Sequence, residues 1–294
     1  MAPPPSKPTE PRLEAELFKR VKAVQLTSRK RVNDHLAGEY QSAFRGRGME
    51  FDQVREYSPG DDPKYIDWMV SARMGHPYIK TFIEERELSV FFVIDGSGSS
   101  GFGLGTKTRF DLAVELFAAL GLSGMRKNDS LGLLVFTDQV ELFVPPKKGR
   151  KHFLRLIREL LHFTPQSKGT HIGTALEYCN KALKRRGVLF LVSDFLDPHN
   201  YAKPLRHLAK KQDLVVIETG EPVPLELSGL GLIEVEGLES GSRELLDLVN
   251  LAPQGPENRK KSFTLLGADY LQVKETDDLD QKLEGFFRQR ARRR

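Results

Sequence analysis

The apolar positions of this chain fall into short continuous runs separated by longer amphipathic stretches. Leu88–Ile94 is apolar at every position except Ser89, and Val188–Val192 is apolar throughout. Such runs suit parallel strands covered on both faces. Ser130–Phe136 and Leu214–Ile217 read as further strands, and Leu232–Val235 and Tyr270–Val273 as shorter ones. Val140–Val144 returns antiparallel after a tight turn at Thr137-Asp138-Gln139. Between the strands, Leu112, Leu116, Phe117, Leu120 and Met125 recur at helical spacing and predict a helix over Arg109–Arg126. Further helices are predicted over Arg150–Phe163, Thr174–Arg185, Tyr201–Lys211 and Leu279–Arg290. Strands alternating with helices predict an α/β fold, a doubly wound, mostly parallel sheet flanked by helices. In such sheets ligands bind beyond the carboxyl ends of the strands, where the strand order reverses.

The pattern before residue 88 differs. Residues 1–11 are proline-rich and polar and are expected to be a disordered tail. Leu13, Leu17, Val21, Val24 and Val32 predict an N-terminal helix within 12–38. Residues 39–87 hold short alternating pieces, Val54–Tyr57 and Tyr78–Ile83, punctuated by Pro59-Gly60, Gly75 and Pro77. They are expected to form a small β-rich accessory region. The main domain is then 88–290, followed by a basic tail at 291–294.

Composition narrows the function classes. No apolar run approaches the roughly 18 residues of a membrane-spanning helix, and the start Met1-Ala2-Pro3-Pro4-Pro5 lacks the basic-then-apolar pattern of a signal peptide, so none is expected. The single cysteine, Cys179, leaves no intrachain disulfide and no cysteine zinc site. The expected location is the cytoplasm. The net charge is +5, but Arg288–Arg294 carries five arginines. Without them the body holds 40 basic and 40 acidic residues. A solvated tail is therefore expected, and a nucleic-acid partner is not.

The candidate chemistry lies directly behind the first apolar run. Asp95-Gly96-Ser97-Gly98-Ser99 alternates one carboxylate and two hydroxyls with glycine. At the end of a buried strand, such a loop lets oxygens converge on one side. Hard divalent cations want oxygen ligands, and Mg²⁺ wants them in octahedral array. The literal G-x-G-x-x-G of Gly96–Gly101 does not read as a dinucleotide motif, because Asp95 would place negative charge beside the pyrophosphate. The following helix also begins too late, near Thr108, for its N-terminus to meet phosphate. No G-x-S-x-G surrounds these serines.

Two later segments supply further oxygens. Thr170 lies in Gly169–Thr174, before a helix, and Asp194 follows the strand Val188–Val192. In a doubly wound sheet that strand neighbours the first one across the switch point, so Asp194 emerges beside Asp95. Asp95, Ser97, Ser99, Thr170 and Asp194 then form an oxygen site for Mg²⁺, with Mn²⁺ or Ca²⁺ as substitutes. Asp61, Asp62 and Asp67 sit among Arg45, Arg47, Arg55 and Arg73 and are expected to form ion pairs. Trp68 is expected to pack between the accessory region and the main domain, and Cys179 to be a buried apolar residue on its helix.

The spacing Asp-x-Ser-x-Ser, a later Gly-Thr loop and a third-loop Asp resemble the metal-ion-dependent adhesion site of von Willebrand factor A-type domains, over residues 88 to about 290. Upstream, Arg55–Asp62, Ile66-Asp67-Trp68, Ser71-Ala72-Arg73 and Glu84-Glu85-Arg86 resemble the signature of an uncharacterised bacterial family that pairs such a domain with this segment. Members of that family are typically encoded beside MoxR-type AAA ATPases. The resemblance implies direct metal ligation by Ser97 and Ser99. Asp95, Thr170 and Asp194 would ligate directly or through water. It implies a metal-dependent protein-protein interaction module, an adaptor of a MoxR-type ATPase, that takes an Asp or Glu of a partner as a further metal ligand. A metal-dependent phosphohydrolase, with His171 as the one visible base, is the alternative.

Overall fold

The structure is a computed structural model of the chain, and it describes residues 39–40, 43–44, 50–83, 88–101, 107–220, 232–236, 243–247 and 256–293. The predicted N-terminal helix falls outside the described residues. The chain divides into two compact units, Arg45–Glu87 and the remainder.

In the smaller unit, β1 (Glu50–Glu56) pairs antiparallel with β2 (Tyr78–Ile83), and a short helix α1 (Trp68–Met74) lies between them. The acidic residues of this segment hold its turns. Asp61 takes a two-pronged contact from Arg55 at 2.7 and 2.8 Å, and the Ser58 amide donates to it. Asp62 pairs with Lys64 at 2.6 Å. Asp67 caps α1 by accepting from the Met69 and Val70 amides, and it pairs with Lys80. The expected ion pairs thus form, but two of the three use lysine rather than arginine. Trp68 is 71% exposed.

The larger unit is built on a six-stranded sheet. Its strands are β3 (Ser89–Asp95), β4 (Ser130–Phe136), β5 (Val140–Lys147), β6 (Val188–Ser193), β7 (Asp213–Thr219) and β10 (Asp269–Val273), in the order β10-β7-β6-β3-β4-β5. All neighbours are parallel except β5, which folds back on β4. This is the expected doubly wound α/β sheet, and its order reverses at β3. The apolar run of β3 serves both faces. Val90, Phe92 and Ile94 pack with α2 (Arg109–Arg126), α3 (Arg150–Leu161) and α7 (Leu279–Arg293). Phe91 and Val93 pack with α4 (Ile172–Ala182), α5 (Ala202–Lys211) and α6 (Pro256–Leu265). Burying each such side chain is worth roughly 1.5–3 kcal/mol. Cys179 is buried in the second of these layers. A capping box of Thr108 and Asp111 starts α2, matching the expected helix boundary.

Several expectations change. Leu232–Glu236 (β8) does not join the main sheet; it pairs with β9 (Arg243–Asp247) in a separate two-stranded sheet. Tyr40, Ala43 and Phe44, assigned from sequence to the accessory region, belong to the core of the larger unit, where Phe44 meets Phe190 and Phe287 edge-on. The C-terminal arginines are not all solvated. Helix α7 continues to Arg293, and Arg290 is buried over the Phe44 ring between Asp213 and Asp269. A buried guanidinium needs such partners, and two carboxylates at the starts of β7 and β10 provide them. Among the described residues, no helix is long and apolar enough to cross a membrane.

Candidate metal centre

The carboxyl ends of β3 and β6 lie side by side, with Ile94 paired to Val192. That register sets Asp95 level with Ser193 and puts Asp194 one residue beyond. Asp95, Ser97, Ser99, Thr170 and Asp194 are all buried. Gly96 turns the chain at the strand end, where its amide donates to the Phe136 carbonyl at 2.8 Å. A Cβ there would lie 2.5 Å from the Phe163 ring, so the turn requires glycine. The Ser97 amide then donates to Asp95 Oδ1 at 2.9 Å. Ser97 Oγ and Ser99 Oγ stand 3.1 Å apart.

The Thr170 loop is tied to the same rim. The Gly98 amide donates to the Lys168 carbonyl at 2.8 Å, and the His171 amide donates to the Thr137 carbonyl at 3.0 Å. Glu141 on β5 steadies this loop further, accepting from Thr137 Oγ1 and from the Gln166 and Ser167 amides. On the other side, Asp194 Oδ1 accepts from the Leu196 amide at 3.1 Å. Between them Phe195 holds a left-handed φ of 56°, a conformation that costs free energy and is common at functional sites. Its ring is buried beside Tyr201 and Phe263, which fixes it.

Two residues of the site carry no sequence signal. Ser193 Oγ donates to Asp95 Oδ2 at 2.6 Å and accepts from the Phe195 amide at 3.0 Å. Arg109, at the start of α2, places Nη1 2.6 Å from Asp194 Oδ2. Only the cross-strand register and the packing of α2 bring these groups in.

Burial, and then the neighbouring Asp194 carboxylate, push the Asp95 carboxyl up to about 7; hydrogen bonds from Ser193 and Ser97 offset part of this. Two buried carboxylates that repel one another are the electrostatic setting a divalent cation relieves. The donor set fits a hard cation: the five side chains offer oxygen only, with no thiolate or imidazole among them. Adjacent oxygens of a Mg²⁺ octahedron stand about 3 Å apart, which the two serine hydroxyls match without rearrangement.

A second group, His171, Asp197 and His199, offers ligand atoms within 4.8 Å of one another. Hydrogen bonding already engages all three residues. His171 Nδ1 caps α4 by accepting from the Thr174 amide, so the neutral ring carries its proton on Nε2. Asp197 accepts from the Ile172 amide, the His199 amide and His199 Nδ1. The two rings stack with centroids 4.4 Å apart. This cluster pins the Asp194 loop to the N-terminus of α4, and it occupies the one nitrogen of His171 that could act as a base in the neutral state.

Comparison with known proteins agrees with the architecture. The chain resembles the uncharacterized protein Rv1480 of Mycobacterium tuberculosis, 31% identical over 234 residues, covering 79% of this chain and 73% of that protein. The uncharacterized protein YeaD of Bacillus subtilis is 28% identical over 107 residues, covering 36% of this chain and 25% of its own. Among solved structures, an aerotolerance-related membrane protein from Bacteroides fragilis aligns at a TM-score of 0.50 with 18% identity, over 70% of this chain and all of that one. The SpRpn10 VWA domain aligns at 0.42 with 12% identity, over 69% and 95%. At 18% identity the likeness to the Bacteroides fragilis protein concerns the fold alone. A family model described as "Protein of unknown function DUF58" matches residues 53–253, more than half of the chain, and the chain belongs to that family.

Proposed function

We propose that this chain is a metal-dependent protein-protein interaction module. Asp95, Ser97, Ser99, Thr170 and Asp194 hold a divalent cation, Mg²⁺ in the first instance. The observation that carries this reading is the pair of serine hydroxyls at 3.1 Å beside two buried carboxylates at adjoining strand ends. A cation held there supplies an open position for a carboxylate oxygen. Asp95 and Asp194 balance its two positive charges, and Ser193 and the Leu196 amide keep both carboxylates aimed at the rim. A partner's Asp or Glu completes the shell. By the family resemblance, that partner is a MoxR-type AAA ATPase or a client it remodels, and the chain is its adaptor.

Hydrolysis would need a base in reach of a metal-held water. His171 is the visible candidate, and its Nδ1 is occupied by the Thr174 amide. That observation favours binding over catalysis.

The test is co-purification with the MoxR-type ATPase of the same genome. Capture is expected in Mg²⁺, lost in EDTA and lost in Asp95→Ala. Capture indifferent to both would remove the bridging role. Phosphate release from a generic ester by the wild-type chain in Mg²⁺, abolished in Asp95→Ala, would favour the hydrolase.

A further inference from the structure

We infer that the groove between α4 and α5 is a docking surface for an acidic segment of a protein partner, built from residues that take no part in the oxygen site. The inference goes beyond the metal reading and does not depend on it. The two helices flank an open cavity of about 640 Å³. Its wall carries Lys181 from α4 and Lys203, Arg206, His207 and Lys210 from α5, with Glu177 as its one carboxylate. All six side chains are exposed. The four α5 residues stand at i, i+3, i+4 and i+7, so they form one stripe down the helix. That stripe runs about 10 Å, the reach of roughly three residues of extended chain. Asn180, also in the wall, ties the helices together. Its amide donates to the Leu176 carbonyl at 3.1 Å and to the Pro204 carbonyl at 3.4 Å.

The charge of this groove is not neutralised within the chain. Among the described residues, Lys181, Lys203, Arg206 and Lys210 form no ion pair, whereas Arg55, Lys107 and Lys282 on other surfaces pair with Asp61, Glu115 and Asp277. The acids nearby in sequence are engaged elsewhere: Asp197 accepts from the Ile172 and His199 amides, and Asp213 pairs with Arg290. Four cations against Glu177 leave three positive charges, with His207 left out of the count. Lys184, Arg185, Arg186 and Lys211 lie at or just past the ends of the two helices, are exposed, and add to the same sign. Like charges one turn apart on a helix repel. Lys203 also sits in the first turn of α5, where a cation opposes the helix dipole. Both effects weigh against Lys203 and Arg206 as helix stabilisers, and an anionic ligand relieves both. The lining holds no aromatic ring on which a nucleobase could stack, and no large apolar side chain to enter a lipid surface. What fits the stripe is an extended run of Asp or Glu.

The test measures binding of a fluorescent hexa-aspartate peptide to the intact chain in EDTA, so that no metal bridge contributes. The double variant Lys203→Glu/Arg206→Glu reverses the stripe. Lys151→Glu/Arg158→Glu makes the same change of net charge on α3, which packs on the other face of the sheet. Both are first shown to be folded by circular dichroism, and the milder Lys203→Gln/Arg206→Gln stands in if the reversal does not fold. Wild type is expected to bind the peptide at low salt and to release it as salt rises. The stripe variant is expected to bind at least about tenfold more weakly, and the α3 variant to stay within about threefold of wild type. A single-stranded oligothymidylate carrying the same number of charges is expected to bind more weakly than the peptide. Equal weakening in the two double variants would reduce the groove to an effect of net charge and overturn the inference. So would no peptide binding by wild type. Tighter binding of the oligothymidylate would overturn it too, making the surface one for nucleic acid. The metal reading is untouched by any of these results, because the oxygen site plays no part in the measurement.

Discussion

Ser193 Oγ donates to Asp95 Oδ2 at 2.6 Å across the junction of β3 and β6. The same hydroxyl accepts from the Phe195 amide, so one side chain joins the Asp95 carboxylate to the loop that carries Asp194. Ser193→Ala leaves a buried carboxylate oxygen and a buried amide short of a partner. The metal-free protein is expected to lose roughly 1–3 kcal/mol, read by urea denaturation in EDTA, with the fold retained. A loss within error would mean that the hydroxyl bridge does not hold the loop.

Gly96 and Phe163 give a second prediction. A methyl at Gly96 would overlap the Phe163 ring, which also stacks on Phe110. Gly96→Ala is expected to cost roughly 1–3 kcal/mol through overpacking. Phe163→Leu combined with it should recover part of that loss in a double-mutant cycle. Additive losses would show that the ring is not the obstacle.

The pH dependence of stability has an identifiable source outside the site. Asp129 accepts from the Leu88 amide and the Tyr40 hydroxyl. Burial pushes its carboxyl from an ordinary 3.8 to about 7, with those hydrogen bonds opposing the shift. The folded chain thus keeps a proton that the unfolded chain has already released. Stability from this group is fully present below the unfolded value and is lost as pH rises toward about 7. Asp129→Asn removes that titration. Relative to wild type, the variant should gain roughly 1–3 kcal/mol between pH 4.5 and pH 8. A difference that does not change with pH would contradict the assignment.

Much of the fold is legible in the sequence, for physical reasons that vary by element. Helix α2 and strand β4 have the expected limits. The long apolar stripe and capping residues of α2 leave little ambiguity, and β4 is apolar enough to be covered on both faces. Helix α4 begins at Ile172, two residues before the expected Thr174, because His171 rather than a serine or aspartate caps it. Helix α6 has almost no apolar stripe, and Phe263 is its buried residue in the core, so hydrophobic spacing passes over it. The candidate oxygens could be named from loop positions after strands. Ser193 and Arg109 could not, because their roles depend on which residue stands opposite Asp95 and on how the start of α2 packs.

The central claim is that three loops hold one divalent cation. Calorimetric titration of Mg²⁺ into the intact chain, and into Asp95→Ala and Asp194→Ala chains shown to be folded by circular dichroism, tests it most directly. The account predicts saturable binding to the wild type and none to either variant. Equal binding by all three proteins, or no binding by the wild type, would contradict it.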